Sequence, residues 1–172
     1  MNTKSLVTLS LLIGMGAVLH TVMPGLFLGM KPDMMLTMMF LGILLFPNLK
    51  SVLLAGLVTG VISGLTTSFP GGMIPNMLDK PVTAVVFYGL FLLFAHYGKN
   101  TVGAAALTAV GTIVSGVVFL GSALVTVGLP GPFAALFLTI VLPASAVNAV
   151  VMAVIYPIVQ SVLKRSNLAE PA

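Results

Sequence analysis

Two acid–base pairs hold most of the groups in this chain that could recognise a charged ligand. Lys31 and Asp33 flank a proline, and Asp79 lies directly before Lys80, which is followed by another proline. The two pairs use two of the three acidic residues in the sequence. A cation can bind a carboxylate and an anion can bind an ammonium group, so the pairs together suit a small zwitterion. We therefore predict that all four residues contact a ligand.

The second pair closes an unusual polar stretch, residues 69–81. Three prolines, two glycines and an asparagine lie here between long apolar runs. Proline removes backbone donors and glycine admits conformations that other residues avoid, so the pattern predicts a shaped loop rather than a helix. Backbone N–H groups at Gly71 and Gly72 are candidates to bind a carboxylate. Phe69 could pack against an aromatic ring, and Asn76 or Asn148 could accept an N–H group from such a ligand.

Three further residues are candidates for the same site. His20 lies near the end of the first apolar run, and Phe27 lies in the segment after it. A single histidine is more often structural than a ligand contact, and both roles stay open here. Asn148 interrupts the last apolar run, where an amide is costly unless it finds partners. It should face the interior, either to bond another helix or to contact a ligand.

A dense group of methionines surrounds the first pair: Met30, Met34, Met35, Met38 and Met39. Methionines four residues apart share a helix face. Their thioethers could carry Cu(I) or form a pliable wall against an aromatic ligand, but ordinary apolar packing is the favoured interpretation. The sequence has no cysteine, and no histidine lies nearby, so we predict no metal site.

The composition identifies a membrane protein. Hydrophobic residues make up 59% of the chain and charged residues only 6%, and the mean hydropathy is +1.20, values far from those of soluble domains. The bases lie singly at the ends of apolar runs, which is not the clustered pattern of a nucleic-acid binder. No phosphate loop, serine-nucleophile motif or zinc-protease motif occurs. We therefore expect neither an enzyme nor a cofactor, and no ATP site within the chain.

The apolar runs predict an all-α membrane protein, a compact bundle of six transmembrane helices forming a single integral membrane domain over residues 1–172. About twenty apolar residues make one crossing, and proline and glycine mark the breaks. The predicted crossings are 5–23, 32–46, 51–68, 81–98, 101–128 and 133–163.

Basic residues predict the orientation of this bundle. With both termini in the cytoplasm, five of the seven bases lie inside, as the positive-inside rule requires: Lys4, Lys50, Lys99, Lys164 and Arg165. Lys31 and Lys80 then lie outside, each beside an acid. Both pairs also resemble helix starts, with proline near the first position and aspartate in the first turn.

The second crossing is short. Its fifteen residues, 32–46, rise about 22 Å against a hydrocarbon core of about 30 Å. Its outer end should therefore lie below the membrane surface and draw Lys31 and Asp33 inward. A thinned bilayer or a tilted neighbour is the alternative explanation.

The third crossing carries a glycine stripe. Gly56, Gly60 and Gly64 repeat every four residues and so lie on one helix face. Such a stripe predicts the close approach of another helix.

The layout and several short motifs resemble a known family. Six short crossings resemble the substrate-capture (S) components of energy-coupling-factor (ECF) transporters, and the motifs are similar to those of the bacterial tryptophan transporter family (TrpP type). The motifs are Gly29-Met30-Lys31-Pro32-Asp33-Met34, Leu44-Leu45-Phe46-Pro47, Thr66-Thr67-Ser68-Phe69-Pro70-Gly71-Gly72 and Ile74-Pro75-Asn76, continuing to Asp79-Lys80-Pro81. The resemblance implies a tryptophan-binding protein of the bacterial cell membrane that docks on a transmembrane coupling subunit driven by two cytoplasmic ATPases.

S components resemble one another in an Ala-x-x-x-Ala motif on the first helix, which packs on the coupling subunit. The nearest equivalent here is Ser10-x-x-x-Gly14, with Ala17 close by, so these residues are the candidates for partner docking. Two alternatives stay open. The chain could capture another small nutrient such as a vitamin, or it could be a non-transporting scaffold subunit of a membrane complex.

Overall fold

A computed structural model describes residues 3–22, 33–94 and 100–166 of the chain. This part of the chain is entirely helical, which confirms the predicted all-α class. The helices are α1 (Thr3–Val22), α2 (Met34–Leu45), α3 (Leu49–Leu65), α4 (Met73–Leu93), α5 (Thr101–Thr126) and α6 (Phe133–Arg165). Four of them, α1, α4, α5 and α6, are long and apolar enough to cross a membrane, whereas α2 and α3 are shorter.

Helix α2 is the centre of the bundle. It contacts each of the other five helices, and every one of its twelve residues except Leu45 is buried. A helix that is apolar on all sides must be enclosed by other helices or by lipid, and here the other helices enclose it. Its shortness therefore reflects a central position, so it need not match the bilayer thickness by itself.

The methionines of α2 belong to this core. Met35, Met38 and Met39 pack in the main hydrophobic cluster, and Met34 is buried as well. This confirms ordinary packing as their role, while Met30 lies outside the described residues. Phe40 stacks on Phe87 of α4, with ring centroids 4.0 Å apart.

Polar caps begin three of the helices. The Asp33 carboxylate accepts a hydrogen bond from the backbone N–H of Leu36 at 3.0 Å, which confirms the predicted helix start at the first acid–base pair. Asn48 and Asn100 cap α3 and α5 in the same way. Such caps satisfy backbone donors that a helix leaves unpaired in its first turn.

The prediction of a loop over residues 69–80 is wrong from Met73 onward. Helix α4 begins at Met73, eight residues before the predicted start at residue 81, with Gly72 as its N-cap. Pro75 lies in the first turn, where backbone N–H groups have no helical partner anyway. Gly71 has a φ of 71°, a value that glycine adopts readily, and it turns the chain into the helix.

The second acid–base pair is therefore no helix start. Asp79 and Lys80 lie well inside α4, and Pro81 follows them as an internal proline. Membrane helices tolerate internal proline because neighbouring groups compensate for the lost hydrogen bond. The pair is thus carried on a rigid, buried helix face instead of a loop.

The glycine stripe of α3 is the surface on which this part of α4 packs. A Cβ atom on Gly56 would lie 2.9 Å from the Pro81 Cα, and one on Gly64 would lie 3.0 Å from the Met73 carbonyl oxygen. A Cβ on Gly60 would lie 3.3 Å from the Asn76 carbonyl oxygen. The predicted close approach is confirmed, and its partner is the first half of α4.

Helix α6 contains one widened turn. Residues Phe137–Val141 form a π turn, closed by the backbone N–H of Leu142, which donates to the Phe137 carbonyl. Pro143 follows, and in a regular helix its ring would collide with the carbonyl of Thr139. The turn brings Val141 against Gly116 of α5 so closely that no side chain would fit at Gly116.

Substituting the glycine stripe should destabilise the fold at a defined position. In Gly56→Ala the new methyl group meets the Pro81 backbone, and overpacking of this kind costs about 1–3 kcal/mol. Gly89→Ala is the matched control, because a Cβ there meets nothing within 4 Å and gains up to about 1 kcal/mol of helix propensity. Thermal unfolding in one detergent should place Gly56→Ala below wild type and Gly89→Ala at or above it. Equal stability of the two variants would contradict the close packing.

Candidate functional site

A cavity of about 150 Å³ lies at one end of the bundle, and all six helices contribute to its wall. At this end, here called the cavity end, α1 ends, α2 begins, α3 connects to α4, and α5 connects to α6. Cavities of this volume in protein interiors accept a benzene ring. The cavity has a charged wall and an apolar wall, so it suits a molecule that is itself charged at one end and apolar at the other.

The charged wall is centred on Lys80. Its ammonium nitrogen lies 2.5 Å from Asp33 Oδ2 and 2.7 Å from Asp79 Oδ2. Lys80 is 2% exposed and Asp79 is completely buried. Unpaired charges at such depth are very costly, so the pairing is a condition for burying any of the three groups. The structure therefore joins the two predicted acid–base motifs through Lys80.

Asp79 is fully engaged within the protein. Thr83 donates to its Oδ1 at 2.7 Å, and Ser115 of α5 donates to its Oδ2 at the same distance. With Lys80 as a third partner, the carboxylate is held from its own helix and from α5. These contacts define it as the anchor that holds the lysine in place.

Asp33 is the more accessible carboxylate. Its side chain is 23% exposed, and His20 Nδ1 lies 3.7 Å from its Oδ1. It caps α2 as well, so its position is set by a helix end, by Lys80 and by His20. Among the described residues, the cluster holds two carboxylates and one ammonium group, with His20 beside Asp33.

The polar candidates on the other helices also reach the cavity. Asn148 is completely buried, lines the cavity and donates to Thr112 Oγ1 of α5 at 3.2 Å. The bond to another helix, one of the two roles that the sequence left open, is therefore present, and the side chain also faces the cavity. Asn76 lines the cavity too, with its amide donating to the Gly72 carbonyl at 2.8 Å.

The aromatic and glycine candidates have different positions. Phe69 lines the cavity and packs edge-on against Phe119, with ring centroids 5.4 Å apart. Gly71 and Gly72 are not among the lining residues. A Cβ on Gly72 would lie 2.8 Å from Thr67 Oγ1, so tight chain packing accounts for that glycine. Lys31 and Phe27 lie outside the described residues.

Sequence reasoning missed several residues of the site. Ser115 holds Asp79, Thr83 shares that carboxylate, and Phe119 forms part of the apolar wall. The spacing of Thr112, Ser115 and Phe119 places them on one face of α5, which is a signal that could have found them. What the spacing could not show is which other helix that face meets.

These features define a multi-pass membrane protein that encloses a cavity with one charged wall and one apolar wall. The family model described as Tryptophan transporter TrpP matches residues 2–164. The chain belongs to this tryptophan transporter family, as its motifs predicted.

Curated relatives agree with this assignment. A "Probable tryptophan transport protein" of Bacillus subtilis (strain 168) is 58% identical over 172 residues, covering 100% of this chain and 99% of the relative. A protein of the same description from Clostridium perfringens (strain 13 / Type A) is 39% identical and covers 97% of each chain. No solved structure matches the chain.

Removing the central cation should disrupt the bundle. Lys80→Met leaves two carboxylates facing each other without a cation, and breaking a buried ion pair costs about 3–5 kcal/mol. We expect a large fall in the thermal midpoint or a loss of folded protein in detergent. Lys50→Met is the matched control, because Lys50 is exposed at the start of α3. If Lys80→Met has the same thermal midpoint as Lys50→Met and wild type, the cluster does not stabilise the fold.

Proposed function

We propose that this protein is the substrate-capture component of an ECF-type importer and binds L-tryptophan in the cavity. The observation that carries the proposal is a cavity with a buried ion cluster on one wall and apolar side chains on the other, in a chain of the tryptophan transporter family. A free amino acid with an aromatic side chain matches both walls. Substrate capture is reversible binding in which no covalent bond forms or breaks, so it requires no catalytic group.

The proposed pose places the ammonium group of tryptophan at Asp33. This carboxylate is the partly exposed member of the cluster, and a ligand ammonium group there can pair with it. The indole ring then packs among Phe119, Leu120 and Val141 on the apolar wall. Indole is one fused ring larger than benzene, so binding requires the non-helical wall around Phe69 to move outward slightly.

The proposed direction of capture follows from charge. Four bases are exposed at the end of the bundle opposite the cavity, where both α1 begins and α6 ends: Lys4, Lys50, Lys164 and Arg165. Positive residues favour the cytoplasmic side. We infer that both termini are cytoplasmic, that the protein lies in the bacterial cell membrane, and that the cavity opens to the outer face where a nutrient arrives.

An external energy source is part of the proposal. The sequence contains no phosphate-binding loop, so uptake would depend on a transmembrane coupling subunit and two cytoplasmic ATPases. Helix α1 offers a docking face for the coupling subunit. Ser10 and Gly14 are exposed, and a Cβ on Gly14 would meet nothing within 4 Å. Ala17 differs, because it is half-buried and packs against the core.

Ligand binding can be measured directly, because the chain contains no tryptophan and all indole fluorescence then comes from the added ligand. We expect the fluorescence anisotropy of tryptophan to rise with added purified protein. Asp33→Asn should weaken binding at least tenfold, a change of 1.4 kcal/mol, because asparagine keeps the helix cap but loses the charge. Lys50→Gln, at the opposite end, should bind like wild type.

A folded wild-type protein that gives no anisotropy change and no heat in calorimetry would refute tryptophan capture. Competition by a panel of amino acids and vitamins separates tryptophan from another nutrient. Wild-type affinity in Asp33→Asn would exclude the proposed pose while leaving the ligand itself established.

Docking on a coupling subunit predicts a separation of binding from uptake. Gly14→Leu places a large side chain on the exposed face of α1, six residues before His20, which is the residue of α1 that lines the cavity, so it should keep tryptophan binding and lose uptake in cells that express the complete ECF module. Gly89→Leu is the control, because Gly89 on α4 also has open space around it. Full uptake by Gly14→Leu would exclude this face, and uptake without any ATPase partner would exclude the ECF mechanism.

A further inference from the structure

The amide of Asn148 has a defined orientation. Thr112, its partner on α5, donates its hydroxyl proton to the Thr108 carbonyl at 2.8 Å. A hydroxyl has one proton and otherwise accepts, so Thr112 can offer Asn148 only an acceptor. The Asn148 Nδ2 group must therefore face Thr112, as the 3.2 Å contact shows.

This orientation leaves the amide oxygen of Asn148 without a hydrogen-bond donor. Within residues 3–22, 33–94 and 100–166, Oδ1 is buried and has no hydrogen-bond partner. Buried amide oxygens are nearly always paired, and leaving one unpaired costs about 1–3 kcal/mol. Because Asn148 lines the cavity, a ligand that carries an N–H or O–H donor can remove this cost.

The other uncharged polar groups that the cavity offers are less selective. Asn76 donates its amide to the Gly72 carbonyl, and its Oδ1 is not among the buried oxygen atoms that lack a partner in the described part of the chain. Ser63 Oγ also lines the cavity and lacks a partner within the described part of the chain, but a hydroxyl can rotate to donate or accept. Asn148 Oδ1 can only accept, so it distinguishes a ligand with a donor from one without.

Asn148 lies close enough to the ion cluster for a single amino acid to contact both. Its partner Thr112 lies three residues before Ser115, which holds Asp79. Three residues on one helix face correspond to a rise of about 4.5 Å. Asn148 and Asp79 are thus held by neighbouring turns on one face of α5, so Asn148 lies within the length of one amino acid from the Asp79 side of the cluster.

We propose that Asn148 Oδ1 accepts the indole N–H of tryptophan and sets the specificity of the cavity for that ring. The inference rests on the proposed function, and it identifies Asn148 Oδ1 as the group that accepts a hydrogen bond from the ring nitrogen. It explains why a buried asparagine interrupts the apolar run of α6 at a point where a bond to Thr112 uses only half of its amide. Aromatic amino acids without a ring donor would bind with the oxygen still unpaired.

The test compares tryptophan with its benzothiophene analogue, 3-benzothienylalanine, in which sulfur replaces the ring N–H at nearly constant shape. Calorimetry with wild-type protein should show at least tenfold weaker binding of the analogue, equivalent to 1.4 kcal/mol. In Asn148→Leu the ratio of the two affinities should fall to near one. Asn76→Leu is the matched control, and whatever its affinity, it should keep the wild-type ratio.

The outcomes distinguish an error in the assignment of Asn148 from an error in the proposed function. A wild-type ratio near one, or a wild-type ratio retained in Asn148→Leu, would overturn the assignment of Asn148 while leaving tryptophan binding intact. Failure of wild type to bind either ligand would overturn the proposed function, and this inference with it. Should Asn148→Leu not fold, Asn148→Ser repeats the comparison with a small polar side chain that is too short to reach the ring, and its ratio should also fall to near one.

Discussion

The structure depends on one buried cation held by two buried or nearly buried anions. Lys80 can remain inside an apolar bundle only because Asp33 and Asp79 face it at hydrogen-bond distance, and neither carboxylate could be buried without it. The three residues come from the start of α2 and the middle of α4, while Ser115 adds α5. The ion cluster therefore ties three helices together at the point where the cavity opens, so the stability of the bundle and the chemistry of the site depend on the same contacts.

The central position of α2 makes this arrangement geometrically feasible. A twelve-residue helix enclosed by five others begins beside Lys80, seven residues after the start of α4, so its first turn borders the space of the cavity. The glycine stripe of α3 lets α4 approach closely enough to turn Lys80 toward that space. The π turn of α6 and Gly116 of α5 close the apolar side. Each of these close contacts involves glycine residues or a widened helical turn. Small residues let two helices approach more closely than large side chains would.

Residues 69–81 illustrate where prediction from local composition fails. Counting prolines indicated a loop, yet α4 begins at Met73. Pro75 lies in the first turn, where it costs no hydrogen bond, and Pro81 is accommodated against the glycine face of α3. The effect of a proline depends on its place in the helix and on its neighbours, and the second of these is not a local property. The error also concealed that Asp79 points into the protein and is saturated by three partners, while Asp33 keeps the free surface.

The sequence by itself determined the membrane class, the six apolar segments, the family and several of the residues that line the cavity, because hydropathy, helix breaks and short motifs are local properties. His20, Asp33, Phe69, Asn76, Lys80 and Asn148 were all predicted, and all line the cavity. Only the tertiary structure decided their pairing. Lys80 bridges the two acid–base motifs because the first turn of α2 meets α4. Asn148 donates its amide N–H to Thr112, and its amide oxygen has no partner among the described residues, because α6 meets α5 at this point. Helix contacts between distant segments are set by the packing of the whole bundle, and no pattern within one segment encodes them.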